Sequence, residues 1–571
     1  MGYREEYQSW LTRFSADRET MGELQTIAEN EKEIEDRFYT ELAFGTGGLR
    51  GVLGMGTNRM NIYNVRRATM GLAKYLIAQG IQGQGVVVAF DSRIKSDVFA
   101  RETALTLAAA GIKAYLFDSL RPVPVLSFAV RHLKTAAGVI VTASHNPPQY
   151  NGYKVYGADG AQLAPEAADE VTAYIRALTY EECLPMAEAE ASAKGLLQIV
   201  GNHEVDDAYI EMVKTLSLRP ELLKKRGGEL NIVYTPLHGS GNVPVRRLLK
   251  ELGVTHVTVV PEQEKPDGRF PTVTAPNPED PAAFHLAIPL AEQVGATVVF
   301  GTDPDCDRLG AAVRDGQGRF HTLTGNQIAC LMLSHILKSR KESGTLPANG
   351  AVVKSVVSTE LARAICQDYG VEMIEVLTGF KFIGEKIQQF EETGEHTFLF
   401  GFEESFGYLS GTQVRDKDGV NASLLLCEAA CACMERGETL YDALQALYRK
   451  YGYFKERGVS VTLPGKDGVV KMQGIMERLR QNPPQALAGI AVTAVRDFAR
   501  SVRVEKGVET ALNFPKSNVL YFELTGGNWV CIRPSGTEPK IKLYIASRGD
   551  SEAAAAALND ALTAAAQELL A

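Results

Sequence analysis

Short, continuous apolar runs alternate with longer segments of helical period along this chain. Val86-Val87-Val88-Ala89-Phe90, Ala114-Tyr115-Leu116-Phe117 and Ala137-Gly138-Val139-Ile140-Val141 have strand length, and the segment around Arg101 to Ala110 has helical character. A strand buried on both faces lacks the apolar/polar alternation of a half-exposed one, so this rhythm predicts a parallel sheet covered by helices. A second such block runs from Asn231-Ile232-Val233-Tyr234 through a helix near Val243 to Leu252 and Val257-Thr258-Val259-Val260 to Ala296-Thr297-Val298-Val299-Phe300-Gly301. A third begins after Gly325, with strands at Ala351-Val352-Val353, Met373-Ile374-Glu375-Val376 and Thr397-Phe398-Leu399-Phe400. The fourth has strands near Val459 to Leu463, Ile490 to Val495, Leu520 to Leu524, Trp529 to Ile532 and Ile541 to Ala546 with few helices, an α+β, antiparallel pattern. The expected units are 1–205, 206–322, 323–452 and 453–571, the first opening on a helical leader with Trp10 and Leu11. The alanine-rich tail from Ala553, whose apolar run is interrupted by Asn559 and Asp560, reads as an amphipathic helix that closes the last unit.

A length of 571 residues with 45% hydrophobic and 23% charged residues is enough for several cores, roughly four domains. The net charge of −9 and the absence of a basic run argue against a nucleic-acid partner. No uninterrupted apolar run of about 18 residues predicts a membrane span. The first residues, Met1-Gly2-Tyr3-Arg4-Glu5-Glu6, lack the apolar core of a signal peptide, so the expected location is cytoplasmic. Eight cysteines without paired C-x-x-C spacing read as reduced thiols, and Cys427, Cys431 and Cys433 as helix packing rather than a metal site.

Four loops that follow strand-like segments carry candidate chemistry. Thr142-Ala143-Ser144-His145-Asn146-Pro147-Pro148 places Ser144 beyond the carboxyl end of an apolar strand, where open α/β sheets do their chemistry; it is a candidate nucleophile, or a turn serine before Pro147. In Asp303-Pro304-Asp305-Cys306-Asp307-Arg308, Pro304 opposes a helix, so a loop must gather the three carboxylates. They suit a hard divalent ion such as Mg²⁺; a solvated acidic turn, or Asp303 as a phosphate-accepting nucleophile, are the other readings. Gly401-Phe402-Glu403-Glu404-Ser405-Phe406-Gly407 offers carboxylates and a hydroxyl that can pair with sugar hydroxyls. Arg533-Pro534-Ser535-Gly536-Thr537-Glu538-Pro539-Lys540 reads as a cradle for a phosphate monoester, or as a hairpin turn. Gly45-Thr46-Gly47-Gly48-Leu49-Arg50-Gly51 carries one arginine and fits neither nucleotide fingerprint, which disfavours an ATP-dependent kinase.

Taken in order, these motifs closely resemble the α-D-phosphohexomutase superfamily over nearly the whole chain. Phe44 to Gly51, Asn58-Arg59-Met60-Asn61 and Thr235-Pro236-Leu237-His238-Gly239 are similar to its phosphoglucomutase-2/phosphopentomutase branch. The resemblance implies an α/β fold of three α/β mixed-sheet domains plus a C-terminal α+β domain around a central cleft. It implies Ser144 as the phosphoserine, with Asp303, Asp305, Asp307 and an oxygen on Ser144 holding Mg²⁺. Lys154 matches a lysine implicated in proton transfer, and Arg50 and His145 match positions beside the phosphoserine. Glu403 and Ser405 would bind sugar hydroxyls; Arg533, Ser535, Gly536 and Thr537 would grip the non-reacting phosphate; Arg308, Thr378, Gly379 and Lys381 match further cleft positions. Cys306 departs from the Gly or Ala usual in the metal loop.

The implied activity is a phosphosugar mutase taking small-molecule sugar phosphates, with glucose 1-phosphate and glucose 6-phosphate first and glucose 1,6-bisphosphate as activator and intermediate. The sugar loop lacks the histidine of the better-known glucose branch, so ribose or deoxyribose phosphates (a phosphopentomutase) and mannose phosphates stay open. A sugar bisphosphate synthase, a phosphatase or a non-catalytic sugar-phosphate sensor are readings of another class.

Overall fold

A computed structural model describes residues 2–45, 47–463, 468–535 and 540–570. Its first sheet runs, in spatial order, Leu49–Val52, Tyr150–Gly157, Ala137–Val141, Val86–Phe90, Ala114–Phe117, Leu197–Val200. The last four are parallel neighbours, as the apolar runs predict, but Tyr150–Gly157 returns antiparallel to Ala137–Val141 and pairs antiparallel with Leu49–Val52. Loop length gives the reason. Residues 142–149 are too few for the crossover that a parallel neighbour requires, so the chain turns straight back.

The same device recurs in every sheet. Val298–Thr302 is followed by residues 303–308 and the antiparallel return Leu309–Arg314; Thr397–Glu403 by residues 404–406 and Gly407–Leu409. In the last sheet, Asn528–Pro534 and Lys540–Gly549 pair antiparallel across residues 535–539. The second sheet is ordered Phe320–Thr322, Leu309–Arg314, Val298–Thr302, Asn231–Thr235, His256–Val259, and the third Glu372–Val376, Gly350–Ser355, Thr397–Glu403, Gly407–Leu409. Both are mixed, with the antiparallel return strand at or next to one edge. The fourth is antiparallel and covered by helices Gly468–Gln481 and Glu552–Glu568. The closing helix is amphipathic as expected, except that Asn559 is buried and donates to Lys455 O at 2.9 Å rather than facing water.

One continuous apolar core joins the first three sheets, from Val87 and Phe128 through Tyr209 and Ile232 to Phe400 and Leu424. The leader helices Tyr3–Arg13, Arg18–Thr26 and Glu31–Phe38 pack on the first sheet's helices through Trp10, edge-on to Phe14, Phe38, Tyr63 and Tyr180. The fourth sheet has its own core and meets the third through Val356, Val357 and Leu377 against Phe498, Tyr521 and Trp529. All eight cysteines are buried free thiols. Among the described residues no helix is long and apolar enough to cross a membrane.

Glu375 ties the third sheet to the fourth. It accepts from Arg363 Nη2 at 2.5 Å and Lys354 Nζ at 3.3 Å within its own domain, and from Arg496 Nη1 at 2.8 Å across the boundary. Burial raises its pKa, but Lys354, Arg496 and Arg363 outweigh that and hold it at about 2. Because the folded value lies below the unfolded one, its contribution is fully present above pH ~4.3 and is lost as pH falls towards the folded value. Glu375→Gln is expected to cost about 3 kcal/mol at pH 7, since it removes the carboxylate that three cations share, leaving Glu360 to Lys354 and Arg363 and Glu523 to Arg496. Urea midpoints of the two proteins should converge as pH drops from about 4 to about 2; a gap independent of pH would contradict the account.

Candidate active site

Ser144 sits at the tip of the first hairpin with a positive φ of 49°, a conformation a non-glycine residue holds only when its surroundings enforce it. They do so from two sides. Ser144 N donates to Thr142 Oγ1 at 2.8 Å, and Thr142 Oγ1 is bonded to Asp91 Oδ2 at 2.6 Å. The buried Arg93 guanidinium donates to Ser144 O at 2.5 Å, to Pro147 O and Tyr150 O at 3.0 Å each, and to Asn146 O. Asp91 in turn accepts from Arg93 N at 2.9 Å and Ser96 Oγ at 2.8 Å. Four carbonyls of the serine loop thus converge on one planar cation, a task that suits arginine's fixed fork of donors.

The Ser144 hydroxyl donates to Asp303 Oδ2 at 2.7 Å and lies 3.2 Å from His145 Nδ1. Asp303, Asp305 and Asp307 offer carboxylate oxygens all within 4.8 Å of one another, every one buried. Burial, then the charges of Asp305 and Asp307, push the Asp303 carboxyl well above the carboxylate range. Asp305 Oδ1 and Asp307 Oδ1 are buried without a hydrogen-bond partner. Clustered hard oxygens, unpaired lone pairs and mutual repulsion are the properties of a divalent-cation site, and the residues fit Mg²⁺. Two ammonium groups already offset part of the charge: Lys154 Nζ is 2.9 Å from Asp305 Oδ2 and 3.6 Å from Asp307 Oδ2, and Lys417 Nζ is 3.0 Å from Asp307 Oδ2. Burial opposes the charge on Lys154, yet Asp305 and Asp307 raise its pKa, so it is an ammonium here.

Cys306 has a φ of 50° at the tip of this hairpin, which explains why glycine suits the position. Its thiol is accommodated because Gly241 and Gly419 face it: a Cβ added to either would stand 2.7 Å and 3.1 Å from Cys306 Sγ.

Ser144, Lys154 and the triad are buried and do not themselves line the adjoining cleft of ≈ 900 Å³, which their neighbours His145 and Arg308 reach and whose walls come from all four sheets and their loops. Arg50, His145, Arg308, Thr378, Gly379, Glu403, Ser405 and Arg533 all line it. Arg50 Nη1 donates to Asn146 Oδ1 at 3.2 Å, and Arg308 pairs with Glu279. Burial, then the Arg308 and Arg50 charges, keep His145 well below its usual pKa and so neutral. Burial and the neighbouring Glu404 raise Glu403 to about 7, although Gly379 N donates to its Oε1 at 2.7 Å. Lys381 is not among the lining residues; its ammonium lies 4.8 Å from the Phe382 ring centroid. Gly536 and Thr537 lie outside the described residues, while Ser535 N donates to Lys540 O at 2.7 Å at the base of their loop.

Two parts of this site escaped the sequence reading. Asp91 and Arg93 follow the apolar strand Val86–Phe90 just as Ser144 follows its own, so the same rule would have reached them. Lys417, in Arg415-Asp416-Lys417-Asp418, gave no such signal, because a run of alternating charges ordinarily reads as solvated and here all four residues are buried.

The chain matches the phosphoglucomutase/phosphomannomutase α/β/α domain I over residues 41–182, domain II over 207–316 and domain III over 324–451, and the family's C-terminal domain over 475–565. It is 37% identical over 521 residues to a phosphoglucomutase of Staphylococcus haemolyticus, covering 90% of this chain and 92% of that one. To a phosphoglucomutase of Staphylococcus aureus it is 38% identical over 517 residues, covering 90% and 91%. In fold it is similar to parafusin, a Paramecium phosphoglucomutase solved in an open form (TM-score 0.69, 17% identity, 93% and 95% covered). It is likewise similar to a phosphoglucomutase/phosphomannomutase family protein of Burkholderia thailandensis (TM-score 0.66, 20% identity, 93% and 98% covered).

Arg93→Lys keeps a charge but cannot reach four carbonyls at once. Turnover of the enzyme's substrate should fall about 100-fold with a smaller change in KM, because a displaced nucleophile weakens the reaction more than binding. Steady-state kinetics beside a thermal melt would check this; unchanged kcat would remove Arg93 from the positioning of Ser144.

Proposed function

The chain belongs to the phosphoglucomutase/phosphomannomutase family, and we infer that it interconverts glucose 1-phosphate and glucose 6-phosphate through a phosphoserine at Ser144 and a bisphosphorylated sugar. The observation that carries this reading is the Ser144 hydroxyl held 2.7 Å from Asp303, with the neighbours of the two loops, His145 and Arg308, lining a cleft walled by all four domains. A buried serine on a buried acidic triad is an arrangement for moving a phosphoryl group, whose transfer rests on positioning and charge neutralisation.

In the forward direction the bond from phosphorus to Ser144 Oγ breaks and a bond to the sugar's free hydroxyl oxygen forms, with that hydroxyl's proton passing to a base. The bisphosphate turns end for end, and Ser144 Oγ takes the phosphoryl group from the other position. Asp303, Asp305 and Asp307, with an oxygen on Ser144, would hold Mg²⁺, which when bound neutralises charge that develops on the phosphoryl oxygens. Arg50 and Arg308 add positive charge at the cleft wall beside His145. Lys154 is a proton donor in the arrangement seen rather than a base, whereas Glu403, at about 7, can take up or release a proton near neutrality.

The remaining roles follow from the walls. Glu403 and Ser405 accept and donate to sugar hydroxyls, Thr378 and Gly379 continue that side without Lys381, and Arg533 binds the phosphate not in reaction, joined by Ser535, Gly536 and Thr537 on the strength of the sequence motif alone. Two opposite orientations of one bisphosphate require such a grip away from the reacting centre, where its binding energy is used for positioning. Glucose 1,6-bisphosphate therefore serves as activator, since it phosphorylates an empty Ser144. We place the enzyme in the cytoplasm, in keeping with eight buried free thiols.

A coupled assay with Mg²⁺ and trace glucose 1,6-bisphosphate tests the reading, with ribose and mannose 1-phosphates alongside. Glucose 1-phosphate should turn over fastest, and Ser144→Ala should retain less than about one part in 10³ of the rate while losing the phosphoryl mass seen on the parent chain. Activity that survives Ser144→Ala would overturn the phosphoserine mechanism. Faster turnover of ribose or mannose phosphate would reassign the sugar.

A further inference from the structure

Lys417 belongs to the third domain, yet its ammonium sits against a carboxylate of the second. Its Nζ is 3.0 Å from Asp307 Oδ2 and 2.9 Å from Asp416 Oδ1. Asp416 Oδ2 accepts from Tyr156 OH at 2.8 Å and from Gln162 Nε2 at 3.1 Å, both of the first domain. Tyr156 stands two residues beyond Lys154 on the strand Tyr150–Gly157, so successive inward side chains of that strand reach both ends of the charge cluster. Space for the lysine is built in: a Cβ on Gly407 would fall 2.1 Å from Lys417 Cδ. Burying a lysine at a domain boundary is unfavourable unless its partners are fixed; here the second and third domains supply them, and the first holds one of them, Asp416, in place.

The charges can be added. The state a bound divalent ion would favour, by displacing a proton from Asp303, has every carboxylate ionised: Asp303, Asp305, Asp307 and Asp416 then bring four negative charges and Lys154 and Lys417 two positive ones, while Arg308, 3.8 Å from Asp307 Oδ1, is offset by Glu279. The remainder of two negative charges is what one divalent ion cancels. Removing Lys417 would make it three; neutralising Asp416 would make it one.

We propose that Lys417 is a positioning residue for the cation-binding triad: reaching in from the third domain, it braces Asp307 and moderates the affinity of the loop for a divalent ion. The arrangement keeps the carboxylates assembled before an ion arrives and prevents the loop from holding it too tightly. This inference rests on the reading of Asp303, Asp305 and Asp307 as the cation site.

Mn²⁺ titration of the metal-stripped, unphosphorylated full-length chain, with free Mn²⁺ followed by electron paramagnetic resonance, reads the affinity directly. Lys417→Met should bind Mn²⁺ at least threefold more tightly, and Asp416→Asn, which keeps an acceptor for Tyr156, at least threefold more weakly; kcat should fall in both. Opposite signs are the signature, because simple structural damage would weaken binding in both variants. Lys417→Gln, expected to tighten binding as the Met variant does, carries the test if the latter does not fold. Weaker or unchanged binding in the Lys417 variants would overturn the proposal. Asp305→Asn separates the two readings: its failure to weaken Mn²⁺ binding would remove the triad as the cation site, whereas loss of binding there without the opposed shifts would remove only the role of Lys417.

Discussion

Three carboxylates within 4.8 Å of one another and shut away from water are the constraint around which this molecule is arranged. Their repulsion in a medium of low polarity is far larger than at a surface, so the loop Asp303 to Asp307 cannot be stable as an isolated hairpin. The second domain's own cation at the triad, Arg308, is paired with Glu279, and further positive charge comes from outside: Lys154 arrives on a strand of the first and Lys417 from the third. The three α/β domains are therefore held in register by electrostatics at the reacting centre as well as by the apolar core they share. A substitution that unpacks either contact acts on catalysis and on domain arrangement together.

The way the site is delivered is economical. In each of the first three sheets the candidate loop is the tip of a hairpin formed by a strand and its antiparallel return, and each tip carries a non-glycine residue at positive φ: Ser144, Cys306 and Phe406. A hairpin tip is fixed by the ladder on both sides, which allows strained backbone to persist. It also places residues of loop and return strand together, as when Ser144 and Lys154, ten positions apart, end up contacting adjacent carboxylates of the same triad.

Much of this was legible in the sequence. Apolar runs marked the central strands, and loops after them marked Ser144, the aspartate triad and the Glu403 loop, because a buried strand and a polar loop at its carboxyl end differ sharply in composition. The return strands were not legible: Tyr150–Gly157 mixes Asn151, Gly152 and Lys154 with aromatic residues, and Lys154 is buried only because Asp305 waits across a domain boundary. Arg93 needed four carbonyls folded round it to be meaningful, and Asn559 broke the apolar face of its helix until Lys455 O was placed opposite. Long-range pairing of polar groups has no period, so it leaves no trace in a pattern read along one chain.

The division of labour among the domains follows from where the cores end. The first three are joined by one core and carry Ser144, the aspartate triad and the Glu403 loop. The fourth has a separate core and is attached by a smaller aromatic and aliphatic contact together with the Glu375–Arg496 pair. An attachment of that kind permits motion as a unit. A mutase that must release, turn and recapture a bisphosphate needs this asymmetry: the reacting centre has to keep its geometry to fractions of an ångström, while the grip on the distant phosphate, at Arg533, has to yield and re-form. Arg533, the proposed phosphate grip, lies on the domain that has a core of its own and touches the common core through Tyr453 and Phe454, which meets both demands without loosening the serine or its aspartates.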